Sequence, residues 1–131
     1  MRVLALDHGE ARCGCAMSDP TGTIATPLPE IEHPDSPAGL EAIADLVGQQ
    51  GVERVVVGLP LTLAGDEGQQ AARARVFADA LQRRVSVEVD LHDERLTTKL
   101  AERTGGGAGA DSRAAAHLLE SWLARAAAAA E

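Results

Sequence analysis

A chain of 131 residues is the size of one domain and long enough to bury a core of its own, so residues 1–131 are read as a single domain. A hydrophobic fraction of 45% argues against disorder, and aromatics at only 2% leave no platform for stacking single-stranded bases. The formal net charge of −8 speaks against sequence-independent nucleic-acid binding by the molecule as a whole, yet bound cations or a local basic patch can reverse the field at one site.

Residues 2–7, "RVLALD", form an apolar run suited to a buried strand that delivers one acid, Asp7. After a turn at "HGE", the stretch "ARCGCAMSD" alternates. Ala11, Cys13, Cys15 and Met17 take one face, and Arg12, Gly14, Ala16 and Ser18 take the other. Cys13 and Cys15 lie two apart, where a disulfide would be strained, so both are read as free thiols in a reducing cytosol. "PTG" at 20–22 is a turn signal, and "TIATPL" makes a third strand. Three strands with short turns imply an antiparallel meander.

"PEIEHPDSP" is polar and proline-rich and reads as a loop. Ser36 then caps a helix that has Pro37 in its first position and Leu40, Ile43, Ala44 and Val47 on one face. "VERVVVGLP" is a fourth strand, stopped by Gly58 and Pro60. Asp66 or its neighbours open a second helix lined by Val76, Phe77, Ala80 and Leu81. "VSVEVDLHDER" is a fifth strand, with Val85, Val87, Val89 and Leu91 set against Ser86, Glu88, Asp90 and His92. A short helix around residues 97–103 precedes a flexible loop, "TGGGAGA". The last helix starts near Asp111 and carries Ala115, Leu118, Leu119, Trp122 and Leu123 on one face, with Trp122 in the core and "AAAAAE" as a fraying end. No apolar run of ~18 residues marks a membrane span, and the start lacks the pattern of a signal peptide.

The order is therefore β-β-β-α-β-α-β-α-α. It predicts an α/β fold: a mixed five-stranded sheet with its later strands parallel and helices on both faces. In such sheets, ligands bind beyond the carboxyl ends of the parallel strands. Asp7 ends the first strand, Gly58 to Pro60 end the fourth, and Glu94 ends the fifth. As sheet neighbours, these would converge on one rim. Converging carboxylates repel and need a counter-charge. Mg²⁺ supplies one while keeping sites for phosphate oxygens, and two such ions clamp the attacking and leaving oxygens of an in-line displacement. The chemistry suggested is metal-assisted phosphodiester hydrolysis.

Plainer readings stand beside this one. Asp7 could simply terminate a strand, Glu94 could pair with Arg95 at the surface, and Asp111 could only cap its helix. Arg12 could hold a carboxylate rather than a phosphate. Gly9 and Gly14 could serve backbone geometry alone. The loop from Gly58 to Gly68 could bind a phosphate or only turn the chain. Asp19 reads as turn chemistry, and His8 and His92 sit beside the site without an assigned role.

The ordered set "LALDHGEARCGCAMSD", "GTIATPL", "VVVGLPLTLAGDEGQQA", "FADAL", "LHDERLTT" and "ADSRAAAHLL" resembles the YqgF/RuvX family over nearly the whole chain. That resemblance implies an RNase H-like fold and a nuclease that resolves Holliday junctions or trims the 5′ end of precursor 16S ribosomal RNA. It places a carboxylate triad on Asp7, Glu94 and Asp111, holding two Mg²⁺ or Mn²⁺ ions. Arg12, Arg95, Lys99, Gly58 and Pro60 become candidate substrate contacts, with Arg103 and Arg113 as further cations near the motifs. Structured RNA or branched DNA becomes the partner, bound by a monomer or a homodimer. A non-catalytic nucleic-acid-binding module of the same fold is the alternative. Two departures weaken the grip on phosphate: Ala11 stands where the family often has a basic residue, and "TGGGAGA" carries no Lys or Arg.

Overall fold

The computed structural model describes residues 1–61, 64–93 and 110–130. Its elements in chain order are β1 (Val3–His8), β2 (Arg12–Ser18), β3 (Ala25–Glu32), α1 (Pro37–Gln50), β4 (Arg54–Leu59), α2 (Gln69–Gln82), β5 (Glu88–Asp93) and α3 (Ala110–Ala130). The five strands form one sheet in the order β3-β2-β1-β4-β5. The β1–β2 and β2–β3 pairs are antiparallel, and the β1–β4 and β4–β5 pairs are parallel. This is the mixed sheet expected from the patterning.

Helices cover both faces, which is why β1 and β4 are apolar on each side. Leu4, Leu6, Val55 and Val57 join Cys13 and Cys15 in a core beneath α1 and α2. Val3, Ala5, Ala16 and Val56 join Ala115, Leu118 and Leu119 in a second core beneath α3. The alternation read in β2 and β5 holds: Val85, Val87, Val89 and Leu91 all pack on the first core. The ends of α1 follow local rules. Ser36 Oγ accepts from Gly39 N–H at 3.0 Å. Gly51 ends the helix in the left-handed region, at φ 63°, with its N–H on the Val47 carbonyl.

Several expectations are corrected. β3 starts at Ala25 and runs to Glu32, so "PEIE" is strand and not loop. Pro27 and Pro29 are tolerated because β3 is a sheet edge, where missing N–H groups cost the ladder least. β4 continues through Leu59, so Gly58 does not stop it. β5 is shorter than the apolar alternation suggested and begins at Glu88. α2 begins at Gln69, not near Asp66, and buries Ala71, Ala74, Phe77, Ala78 and Leu81. Val76 is 68% exposed. It sits about 100° around the helix from Phe77, outside the stripe of small alanines that lets α2 approach the sheet. α3 stays helical through Ala130, as a run of the strongest helix former allows. Trp122 is half-buried at the edge of the second core, with the Arg54 guanidinium 5.8 Å from its ring. The short helix expected at 97–103 and the loop residues 105–109 lie outside the described residues. Among those described, no helix is long and apolar enough to cross a membrane.

Candidate active site

Asp7 stands in a row of residues that crosses the sheet on the face carrying α3. It pairs with Gly14 of β2. On its other side, the register of Leu6 with Val57 sets Gly58 next to it. Gly58 in turn pairs with His92 of β5. Strand parity assigns the face: Val3 and Ala5 of β1 and Val56 of β4 lie beneath α3, and Asp7 and Gly58 are even steps from them. The carboxylate therefore has a glycine on either side, and neither neighbour contributes a side chain. His92 closes the row. Its Nε2 lies 3.0 Å from Ser121 Oγ of α3. Burial, and then Arg125, lower its pKa, so near neutral pH it acts as an uncharged tie between β5 and α3.

One hydroxyl sets where α3 begins. The β2–β3 register moves two residues from Cys13 to Cys15 on β2 but three from Ile31 to Leu28 on β3. The extra β3 residue is a bulge, and it falls opposite Gly14. Pro29 lies within it and has no N–H to offer. Ser112 fills the interrupted ladder. Cys15 N–H donates to its Oγ at 3.3 Å, and the hydroxyl donates to the Leu28 carbonyl at 2.6 Å. Ser112 is 3% exposed, so both bonds are sheltered from water. Asp111 precedes Ser112 in the same first turn of α3. The serine thus fixes that turn over the sheet, beside the row of Asp7.

At the strand ends, the β1–β2 turn and the start of α2 enclose a cavity of about 220 Å³ bordered by Asp7, His8, Gly9, Glu10, Gln70 and Arg73. Gly9 is required by the turn itself. Its N–H donates to the Arg12 carbonyl at 2.9 Å, and a Cβ there would lie 2.8 Å from that oxygen. Arg73 forms an ion pair with Glu10 across the cavity wall. His8 belongs to the opposite face from Asp7. Its ring stacks on Phe77 at 4.6 Å, and its Nε2 meets Asp35 Oδ2 at 2.8 Å.

The structure brings together part of the expected set. Arg12 opens β2, exposed, on the same face as Asp7. Pro60 follows β4 at the rim, half-buried. Asp93 ends β5, paired with Leu59. Glu94 is next in the chain, and it lies outside the described residues with Arg95, Lys99 and Arg103. Arg113 is exposed in the first turn of α3. Asp19 is turn chemistry, as expected: its Oδ1 accepts from Thr23 and Ile24 N–H, each at 2.8 Å. The Ile24 amide, then the Thr21 hydroxyl, hold its carboxyl well below the usual carboxylate range.

Sequence reading missed Ser112, Gln70 and Arg73. The only local signal for Ser112 was its place beside Asp111. Nothing local marked Arg73, one arginine among several on an amphipathic helix.

The sequence profile of the RuvX Holliday junction resolvase family matches residues 1–125. The chain belongs to this family. A relative from Anaeromyxobacter sp. (strain Fw109-5), named "Putative pre-16S rRNA nuclease", is 42% identical over 132 residues, which span 94% of this chain and 96% of the relative. A protein of the same name from Chloroflexus aggregans (strain MD-66 / DSM 9485) is 49% identical over 102 residues, 77% of this chain and 71% of the relative. Among solved structures, T. thermophilus RuvC in complex with a Holliday junction substrate aligns with a TM-score of 0.59 at 15% identity, covering 96% of both chains. The Fowlpox virus resolvase in complex with Holliday junction DNA aligns at 0.56 and 11% identity, covering 96% of this chain and 99% of the other. At such identities the two structures show the fold, which is RNase H-like. As a RuvX-family member, the chain is a nuclease.

The donor types expected of this RuvX-family chain suit a hard divalent cation, and of the three donor side chains only that of Asp7 is among the described residues. The expected donors, Asp7, Glu94 and Asp111, are all carboxylates, the oxygen ligands that Mg²⁺ and Mn²⁺ take. The two thiols are held away. Cys13 and Cys15 are free and buried in the core beneath α1 and α2, on the far side of the sheet from Asp7. A hydrogen bond with Cys15, and then burial, push the Cys13 thiol well up, away from the thiolate form a metal needs. Gly14 and Gly58, on either side of Asp7, add no side-chain donor of their own beside it.

Proposed function

We propose that this protein is a divalent-cation-dependent nuclease of structured RNA, with the 5′ end of precursor 16S ribosomal RNA as its substrate and the Holliday junction as the other substrate of its family. The names of its relatives support the RNA, and the junction complexes of its fold neighbours support nucleic acid as the partner class. A cytosolic site of action suits two buried free thiols. A monomer is enough for trimming one RNA strand, whereas symmetric junction cutting calls for two sites about a two-fold axis.

The observation that carries this reading is the setting of Asp7: an acid at a strand end, between two glycines, on the face that receives the first turn of α3. In the proposal Asp7, Glu94 and Asp111 hold two Mg²⁺ or Mn²⁺ ions. When bound, such ions clamp the attacking and leaving oxygens of an in-line displacement. Arg12, Arg95 and Lys99 hold the phosphate and stabilise the charge that develops on it. Gly58 and Pro60 shape the floor against which the strand lies. With a net charge of −8, attraction for nucleic acid rests on the cations and this local rim.

A cleavage panel tests the reading, with wild type and Asp7→Asn offered a precursor RNA end and a four-way DNA junction, in Mg²⁺ and in Mn²⁺. Wild type is expected to cut the RNA. Asp7→Asn is expected to cut neither substrate while keeping its circular dichroism and melting temperature. Equal cutting by the variant would overturn the site, and cutting of the junction alone would reassign the substrate.

A further inference from the structure

The Glu10–Arg73 ion pair stands between two cavities. The first is the cavity of about 220 Å³ that reaches Asp7. The second, about 530 Å³, is lined by Glu10, Asp35, Ala72, Arg73 and Val76. Glu10 and Arg73 are the residues common to both. The two side chains remain 74% and 47% exposed, so water competes with the pair and it opens readily. Glu10 lies in the turn directly after Asp7, His8 and Gly9, and Arg73 lies near the start of α2. Ala72 and the exposed Val76 give the second cavity an apolar wall. A guanidinium at the head of a groove with an apolar wall matches a phosphate followed by its nucleoside.

We propose that Arg73 binds a substrate phosphate and that Glu10 is its built-in competitor. The carboxylate holds the guanidinium until a phosphodiester displaces it, and the displacement joins the two cavities into one groove leading to Asp7. The arginine fork suits both partners, since carboxylate and phosphate offer the same paired oxygens. One anion replaces another, so Arg73 never has to be left uncompensated. The exchange lowers the net gain from this contact, because a strand must displace Glu10 to make it. This inference rests on the nuclease reading of the same site.

The test is a binding cycle on the full chain. Labelled RNA stems and four-way DNA junctions are titrated in EDTA and again in Ca²⁺, over a range of salt, beside cleavage in Mg²⁺. Arg73→Gln is expected to weaken binding several-fold and to lower the salt slope by about one. Glu10→Gln is expected to tighten binding about two- to five-fold, the range an exposed ion pair allows. In the double variant that gain disappears. Glu41→Gln removes an exposed acid of α1 that pairs with Arg84, just past the C-terminal end of α2 and away from Arg73, and it controls for net charge alone. A merely structural pair would give equal losses of melting temperature and no change in binding.

Wild-type affinity in Arg73→Gln, or equal gains in Glu10→Gln and Glu41→Gln, would overturn the proposal even if cleavage proceeds as expected. Binding that follows the expected cycle while Asp7→Asn still cuts would overturn only the catalytic reading. No binding by any form would end both.

Discussion

Asp7 and Gly14 face each other across the antiparallel β1–β2 ladder, on the side of the sheet that carries α3. Directly opposed residues on one face hold their Cβ atoms about 5 Å apart. A branched side chain at Gly14 would therefore crowd the carboxylate. Gly14→Val is expected to cut the cleavage rate by about 100-fold, the scale of a small misplacement at a reacting centre. Gly14 is buried, so the added volume should also cost about 1–3 kcal/mol of stability, and the rate is compared well below the variant's melting temperature. Rate and melting curve together check this, and a rate near wild type would show that the space beside Asp7 is not used.

Ser112→Ala removes the hydroxyl that bridges Cys15 N–H and the Leu28 carbonyl. Two buried backbone groups then lose their partner, at a cost of about 1–3 kcal/mol. The urea midpoint should fall with an unchanged slope. Activity should fall further than the lost stability explains, because the first turn of α3 loses its anchor. Ser112→Thr keeps a hydroxyl and should recover most of both.

Acid should weaken the turn held by Asp19. Its pKa is depressed in the folded chain, chiefly by the Ile24 amide. The contribution is therefore present above its ordinary value of 3.8 and is lost as pH falls through the lower folded value. Asp19→Asn should melt below wild type near neutral pH, and the gap should close as pH drops below 3.8. Glu67 behaves with the same sign. Arg75 grips it through two bonds, at 2.6 and 2.9 Å, and lowers its pKa. Melting curves across an acid series read both effects.

Phe77→Ala should be the most damaging of these changes. Phe77 is 1% exposed in the core beneath α1 and α2, and it stacks on His8. Truncating a buried phenylalanine costs about 3–5 kcal/mol. Denaturant unfolding checks the figure. The loss should reach the active-site turn as well, since the His8 ring loses the face it stacks on and, among the described contacts of that ring, keeps the one to Asp35.

Much of this fold was legible in the chain. Period-two alternation in "ARCGCAMSD" and "VSVEVDLHDER" states which side chains share a face, and the structure keeps those faces. Ser36 and Pro37 announced the start of α1. Of the apolar stripe read in α3, Ala115, Leu118 and Leu119 are buried, and Ala116, which the stripe left out, is buried with them. The motifs in order pointed to Asp7 and to the family. These are local signals, and local periodicity reports faces and caps. It does not report register. The bulge opposite Gly14, the hydroxyl of Ser112 in the β2–β3 ladder, Gly58 as neighbour of Asp7 and the meeting of Glu10 with Arg73 all join segments far apart in the chain. Val76 was misplaced for the same reason: its stripe looked sound until the sheet chose which side of α2 to bury. The sequence alone determined the candidate acid, the faces of the strands and the family. Which residues stand around that acid was decided only when strands and helices packed, because packing sets register and no local pattern encodes it.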